Sequence, residues 1–86
     1  MISRSQFDNE VQAWAEKIGV KPKEIHLRSM KRKWASCSTK GRLSFNTDIF
    51  KQSPQKRSEI IVHELLHLRY PKHNKMFNAM LKFHLK

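Results

Sequence analysis

Three histidines and one glutamate carry the chemistry that this sequence makes available. His63 and His67 stand four residues apart with Glu64 directly after the first, and His73 follows six residues after the second. On an α-helix, residues four apart share one face about 6 Å apart along the axis, so the two imidazoles can share one ion. This is the H-E-x-x-H pattern of a catalytic zinc helix. Glu64 is placed beside the metal rather than on it, where a carboxylate serves as base toward a metal-bound water. A catalytic zinc takes three protein ligands and keeps a fourth position open. No Asp or Glu occurs after Glu64, so a third ligand from downstream must be a histidine. His73 has a spacing that known zinc hydrolases use, whereas His84 falls on the core-facing stripe of the last helix. The expected site is therefore one Zn2+ per chain on His63, His67 and His73.

Three neutral imidazoles leave the charge of such an ion uncompensated, which brings the pKa of its water down to about 7. Glu64 would take the water proton and return it to the leaving amine, while the ion polarises the scissile carbonyl. The reaction class is peptide-bond hydrolysis. By position alone, Tyr70, Arg69 and His84 are all candidates for stabilising the oxyanion. A closed structural zinc site rich in cysteine is excluded, because Cys37 is the only cysteine. A single cysteine also forms no internal disulfide, and it agrees with a reducing compartment such as the cytoplasm.

The elements that must position these residues can be read from periodicity. Phe7, Val11, Trp14, Ala15 and Ile18 recur on one helical face. Ser3 or Ser5 can cap that helix, Asp8 and Glu10 lie toward its positive end, and Gly19 stops it. After Lys21-Pro22-Lys23 the pattern alternates, with Ile25 and Leu27 inward and His26 and Arg28 outward, as in a half-buried strand. Two further strands are expected through Lys33–Ser38 and Arg42–Asn46, joined at Thr39-Lys40-Gly41, with Gly41 in the left-handed position of the hairpin. The three strands are expected to form an antiparallel sheet, with Leu43–Asn46 as the exposed edge to which a peptide would add. Ser53-Pro54 starts the zinc helix, and Pro71 ends it near Arg69 or Tyr70, so that the following turn can bring His73 back. A last helix from Asn74 carries Phe77, Met80, Leu81 and His84 on one stripe. The fold class is α+β: an N-terminal helix, the sheet, the H-E-x-x-H helix and a C-terminal helix.

Eighty-six residues make one domain, 1–86, with 38% apolar and 29% charged residues. So short a chain has a small core, and a bound metal adds stability that such a core supplies with difficulty. No apolar run reaches membrane-spanning length, and Met1–Phe7 lacks the apolar segment of a secretion signal. The net charge of +11 is spread along the chain. It predicts weak, salt-sensitive attraction to nucleic acid through phosphates, without sequence preference.

Arg32-Lys33-Trp34-Ala35-Ser36-Cys37-Ser38, Gly41-Arg42-Leu43-Ser44-Phe45-Asn46, Pro54, Val62-His63-Glu64-Leu65-Leu66-His67-Leu68 and His73-Asn74-Lys75-Met76-Phe77 together resemble the YgjP-like zinc metallopeptidases, relatives of the SprT-like and WLM groups. The likeness spans about Ile25 to Leu81. It implies a minimal zincin-like domain with His63, His67 and His73 as ligands and Glu64 as the catalytic residue. Ala35 stands where the family usually has glycine. In the SprT-like and WLM groups the familiar role is proteolysis of DNA-bound proteins, which implies nucleic-acid-associated substrates and, in so short a chain, a recruiting partner protein. The competing classes are a metal-stabilised nucleic-acid-binding module without catalysis and a plain structural or interaction domain with surface histidines. Glu64 argues against both, because a structural site has no use for a carboxylate that does not ligate.

Overall fold

The computed structural model describes residues 1–85. Helix α1 (Arg4–Ile18) is followed by strands β1 (Glu24–Arg28), β2 (Ala35–Cys37) and β3 (Arg42–Asn46), a 3-10 turn (Thr47–Lys51), and helices α2 (Pro54–His67) and α3 (Lys75–His84). Helix α1 begins at a capping box: the Ser3 hydroxyl accepts from the Gln6 amide, and the Gln6 side chain accepts from the Ser3 amide. It ends at Gly19 with φ 81°, a left-handed geometry that glycine adopts without a Cβ clash. Phe7, Val11, Ala15 and Ile18 are buried, and Trp14 packs at the margin of the core. The two acids expected near the start of this helix lie past its first turn and have other partners. Asp8 accepts from Arg4 at 2.9 Å, and Glu10 reaches across to α2.

The sheet is mixed, with strand order β1-β3-β2, which corrects the antiparallel expectation. β2 and β3 form the expected antiparallel hairpin, with Ser36 opposite Ser44 and Gly41 at φ 85°. β1 runs parallel to β3, with Leu27 opposite Phe45. Parallel neighbours need a connection of about a dozen residues or more, and residues 29–41, with β2 within them, supply it. Asn46 holds this crossover in place. Its side-chain amide donates to the carbonyls of Met30 and Lys33 at 2.8 and 3.0 Å, while its Oδ1 accepts from the Asp48 amide and starts the 3-10 turn. Consequently β3 is the central strand, and Leu43 and Phe45 are fully buried. The exposed edges are β1 and β2, so the expectation that residues 43–46 form the edge is overturned.

Ser53 caps α2 by accepting from the Lys56 amide, with Pro54 in the first turn where it loses no helical hydrogen bond. Ile61, Val62, Leu65 and Leu66 bury its inner face. α2 stops at His67, two residues before the expected end, because the chain tightens there. The amides of Arg69 and Tyr70 both donate to the Leu66 carbonyl, ahead of Pro71. Arg57 anchors the first half of α2. It is 6% exposed, pairs with Glu10 of α1 through two hydrogen bonds of 3.0 and 2.9 Å, and donates a third to the Gln52 carbonyl at 2.7 Å. Asn74 caps α3, its Oδ1 accepting from the Phe77 amide at 2.9 Å.

Candidate metal centre

α2 presents His63 and His67 on one face, as their spacing requires, and the turn after the helix brings His73 against them. The three Nε2 atoms converge on a common point. They are separated by 3.3 Å (His63 to His67), 3.3 Å (His63 to His73) and 2.9 Å (His67 to His73). Two nitrogens each 2.0–2.1 Å from a tetrahedral zinc would be about 3.3 Å apart. Two of the three separations match this value, and the third corresponds to a narrower ligand angle. Three neutral rings cannot satisfy such a triangle with hydrogen bonds alone, since each Nε2 either carries a proton or offers a lone pair. A cation among three lone pairs satisfies all of them, so the donor set fits zinc.

Phe77 forms the floor under this triangle. Its ring is 1% exposed, with centroids 5.2, 4.7 and 4.8 Å from those of His63, His67 and His73. The apolar stripe of α3 placed Phe77 in the core, but its role in supporting the imidazoles was missed. The only local signal is its position four residues after His73. Burial and the neighbouring charges of His67 and His73 hold the His63 pKa below the ordinary histidine value. Its neutral form, the one that can ligate a metal, is thereby favoured.

Glu64 lies beside the triangle and is 9% exposed. Burial raises its carboxyl above the usual carboxylate range, against the opposing pull of His73 and Lys33. Together with His67, Ala35 and Cys37 it lines a cleft of about 920 Å³ between α2 and β2. The Cys37 thiol is likewise pushed up, first by burial and then by the Glu64 charge. Among the expected oxyanion donors, Arg69 lines the same cleft, although its Nη1 donates to the Ile18 carbonyl at 3.1 Å. His84 lies apart, in a smaller cleft with Trp14, Gln55, Ser58 and Glu59, where its Nε2 is buried and has no hydrogen-bond partner among the described residues. Tyr70 packs against the core. His26 is exposed and 3.1 Å from Glu24, the surface role expected for it. Among the described residues no helix is long and apolar enough to cross a membrane.

The YgjP-like family, described as a metallopeptidase domain, matches residues 2–85. Among solved structures, the metallopeptidase zymogen abylysin of Pyrococcus abyssi is similar in fold, with a TM-score of 0.79 at 19% sequence identity, covering 88% of this chain and 76% of that one. No curated protein matches the chain.

Proposed function

The chain belongs to the YgjP-like metallopeptidase family, and on that premise we propose that it hydrolyses peptide bonds with one Zn2+ held by His63, His67 and His73 and with Glu64 as general base. The observation that carries this reading is the convergence of the three Nε2 atoms to within 3.3 Å of one another. When bound, zinc supplies a water of lowered pKa and a Lewis acid for the substrate carbonyl. Glu64 holds and moves the proton. Its burial, which raises the carboxyl's affinity for a proton, favours accepting one from water, and the carboxyl so protonated can return it to a leaving amine. Phe77 and the α2 backbone fix the imidazole planes, so that the ligands need not be ordered when the metal binds.

The substrate backbone has a place to dock. In the β2–β3 ladder the Ser38 amide and the Trp34 carbonyl bond inward to Arg42 and Asn46. By antiparallel alternation, Ala35 and Cys37 then direct their backbone groups to the free edge of β2. Both residues line the cleft that holds Glu64, so an extended peptide adds as a further strand beside the reacting groups. Arg69 is the best placed of the three oxyanion candidates, being the one that lines this cleft. The net charge of +11 supports weak phosphate contacts and substrates among nucleic-acid-associated proteins, presented by a recruiting partner. The unpaired Cys37 accords with a cytoplasmic setting.

Metal titration tests the ligand set. Purified protein reconstituted with zinc is expected to hold one ion per chain, and His63→Ala, His67→Ala and His73→Ala each to lose it, whereas His84→Ala retains it. Unchanged zinc affinity in His73→Ala would overturn the assignment.

A further inference from the structure

The cleft that opens at Glu64 and His67 carries an uneven charge. The turn from α1 to β1 and the β2–β3 hairpin build its far end and are tied together there. The Lys23 amide donates to the Gly41 carbonyl at 2.9 Å, and the Lys23 Cγ stands 3.4 Å from where a Cβ on Gly41 would lie. Lys21, Lys23 and Lys40 all line the cleft, and all three are exposed. Among the described residues none of them forms an ion pair; the pairs there use Arg4, His26, Arg42 and Arg57. Glu64, buried at the reacting end, is the only acidic residue in the lining. Three exposed lysines on the two segments that meet at Gly41 bias that part of the concave surface toward positive potential, while Arg69, the fourth cation of the lining, is tied to the Ile18 carbonyl.

We propose that this end of the cleft selects acidic side chains, so that the preferred substrate is an extended peptide carrying Asp or Glu residues on one side of the cleaved bond. The inference rests on the peptidase reading and deepens it by giving the substrate class. A peptide suits this cleft better than a nucleic acid backbone because its other wall is the free edge of β2. There the main-chain groups of Ala35 and Cys37 repeat at strand spacing and match another peptide strand. Contacts between exposed lysines and carboxylates are individually weak and screened by salt. Three acting on one segment are expected to give about a 10-fold preference at low ionic strength, fading as salt rises.

The test uses two fluorescent peptides of equal length that differ only in four Glu replaced by Gln, with both anisotropy and cleavage measured on the zinc-loaded chain. The Glu peptide is expected to bind about 10-fold more tightly at low salt. That advantage should disappear in the triple variant K21E/K23E/K40E and survive in R28E/K51E/K82E, which lowers the net charge equally but away from the cleft. Equal binding of the two peptides overturns the proposal. So does equal loss in both triple variants, which would mark general cationic attraction, and so does displacement of the Glu peptide by a single-stranded DNA oligonucleotide at a lower concentration than by the unlabelled peptide. Anisotropy reads selectivity whether or not cleavage occurs. Preferential binding with neither peptide cleaved would therefore refute the hydrolytic reading and leave the acidic preference standing.

Discussion

The clamp between Arg57 and Glu10 holds α2 to α1, and the two ends of the pair are buried to different depths. The Arg57 side chain is 7% exposed and that of Glu10 32%. Removing one partner of a buried pair generally destabilises by about 3–5 kcal/mol, because the other charge is left without compensation. Arg57→Met leaves behind a carboxylate that is one-third exposed and can turn to water, so its cost is expected at the low end, about 2–3 kcal/mol. Glu10→Gln leaves a guanidinium with little access to water, and the full 3–5 kcal/mol or so is expected. For a domain of this size about 4–8 °C of melting temperature accompanies each kcal/mol. Thermal unfolding of chelator-treated protein, followed by circular dichroism, should therefore fall by roughly 8–24 °C for Arg57→Met and by more for Glu10→Gln. The double variant should lose less than the sum, giving a coupling of about 2 kcal/mol or more. The Glu10 hydrogen bonds raise the Arg57 pKa, so this contribution is fully present below the ordinary arginine pKa and is lost only at higher pH. Losses under about 0.5 kcal/mol, or a larger loss for Arg57→Met than for Glu10→Gln, would refute the reasoning and make the pair a solvated surface contact.

Two further outcomes follow from the histidine triangle and the ring beneath it. Phe77→Ala removes the ring beneath all three imidazoles and should cost about 3–5 kcal/mol in metal-free protein; the melting temperature should recover in part on adding zinc, and a shift of only a few degrees would show that the ring is not tightly packed. Because the His63 pKa is lowered in the folded chain, the unfolded chain binds more protons as pH falls through the ordinary histidine range. This residue's contribution therefore lowers the stability of metal-free protein at pH 5 relative to pH 7.5. Glu64 opposes it, because its raised carboxyl favours the folded state as pH falls. His63→Gln should thus lose less stability between pH 7.5 and pH 5 than the parent does; urea midpoints at the two values measure it.

The spacing of His63, Glu64, His67 and His73 was legible in the sequence because helix geometry alone puts the first two histidines on one face, and Pro71 forces the turn that returns the last. Caps and turns were legible for the same local reason: Ser3, Gly19, Gly41 and Ser53 act within a few residues of themselves. The direction of β1 was not. Alternation shows which side chains face inward and says nothing of which strand lies alongside, and the pairing is held by Asn46 bonding to Met30 and Lys33 across the crossover. The misplaced edge follows from that, since inward Leu43 and Phe45 are compatible with either an edge or a centre. The Glu10 to Arg57 clamp joins residues far apart in a chain with many basic groups, where no local pattern selects the partner. Phe77 was visible as a core residue, but its seat under the histidines depends on the path of residues 68–74.

The central claim is that Glu64 moves a proton beside zinc without ligating it. Glu64→Gln conserves shape and removes the base, so the decisive measurement is peptide hydrolysis by zinc-loaded Glu64→Gln alongside the parent, with bound zinc quantified in the same samples. Full zinc occupancy with a rate lower by about 100-fold or more is expected for loss of a positioned general base. Cleavage at the parental rate, or loss of zinc together with activity, would contradict it.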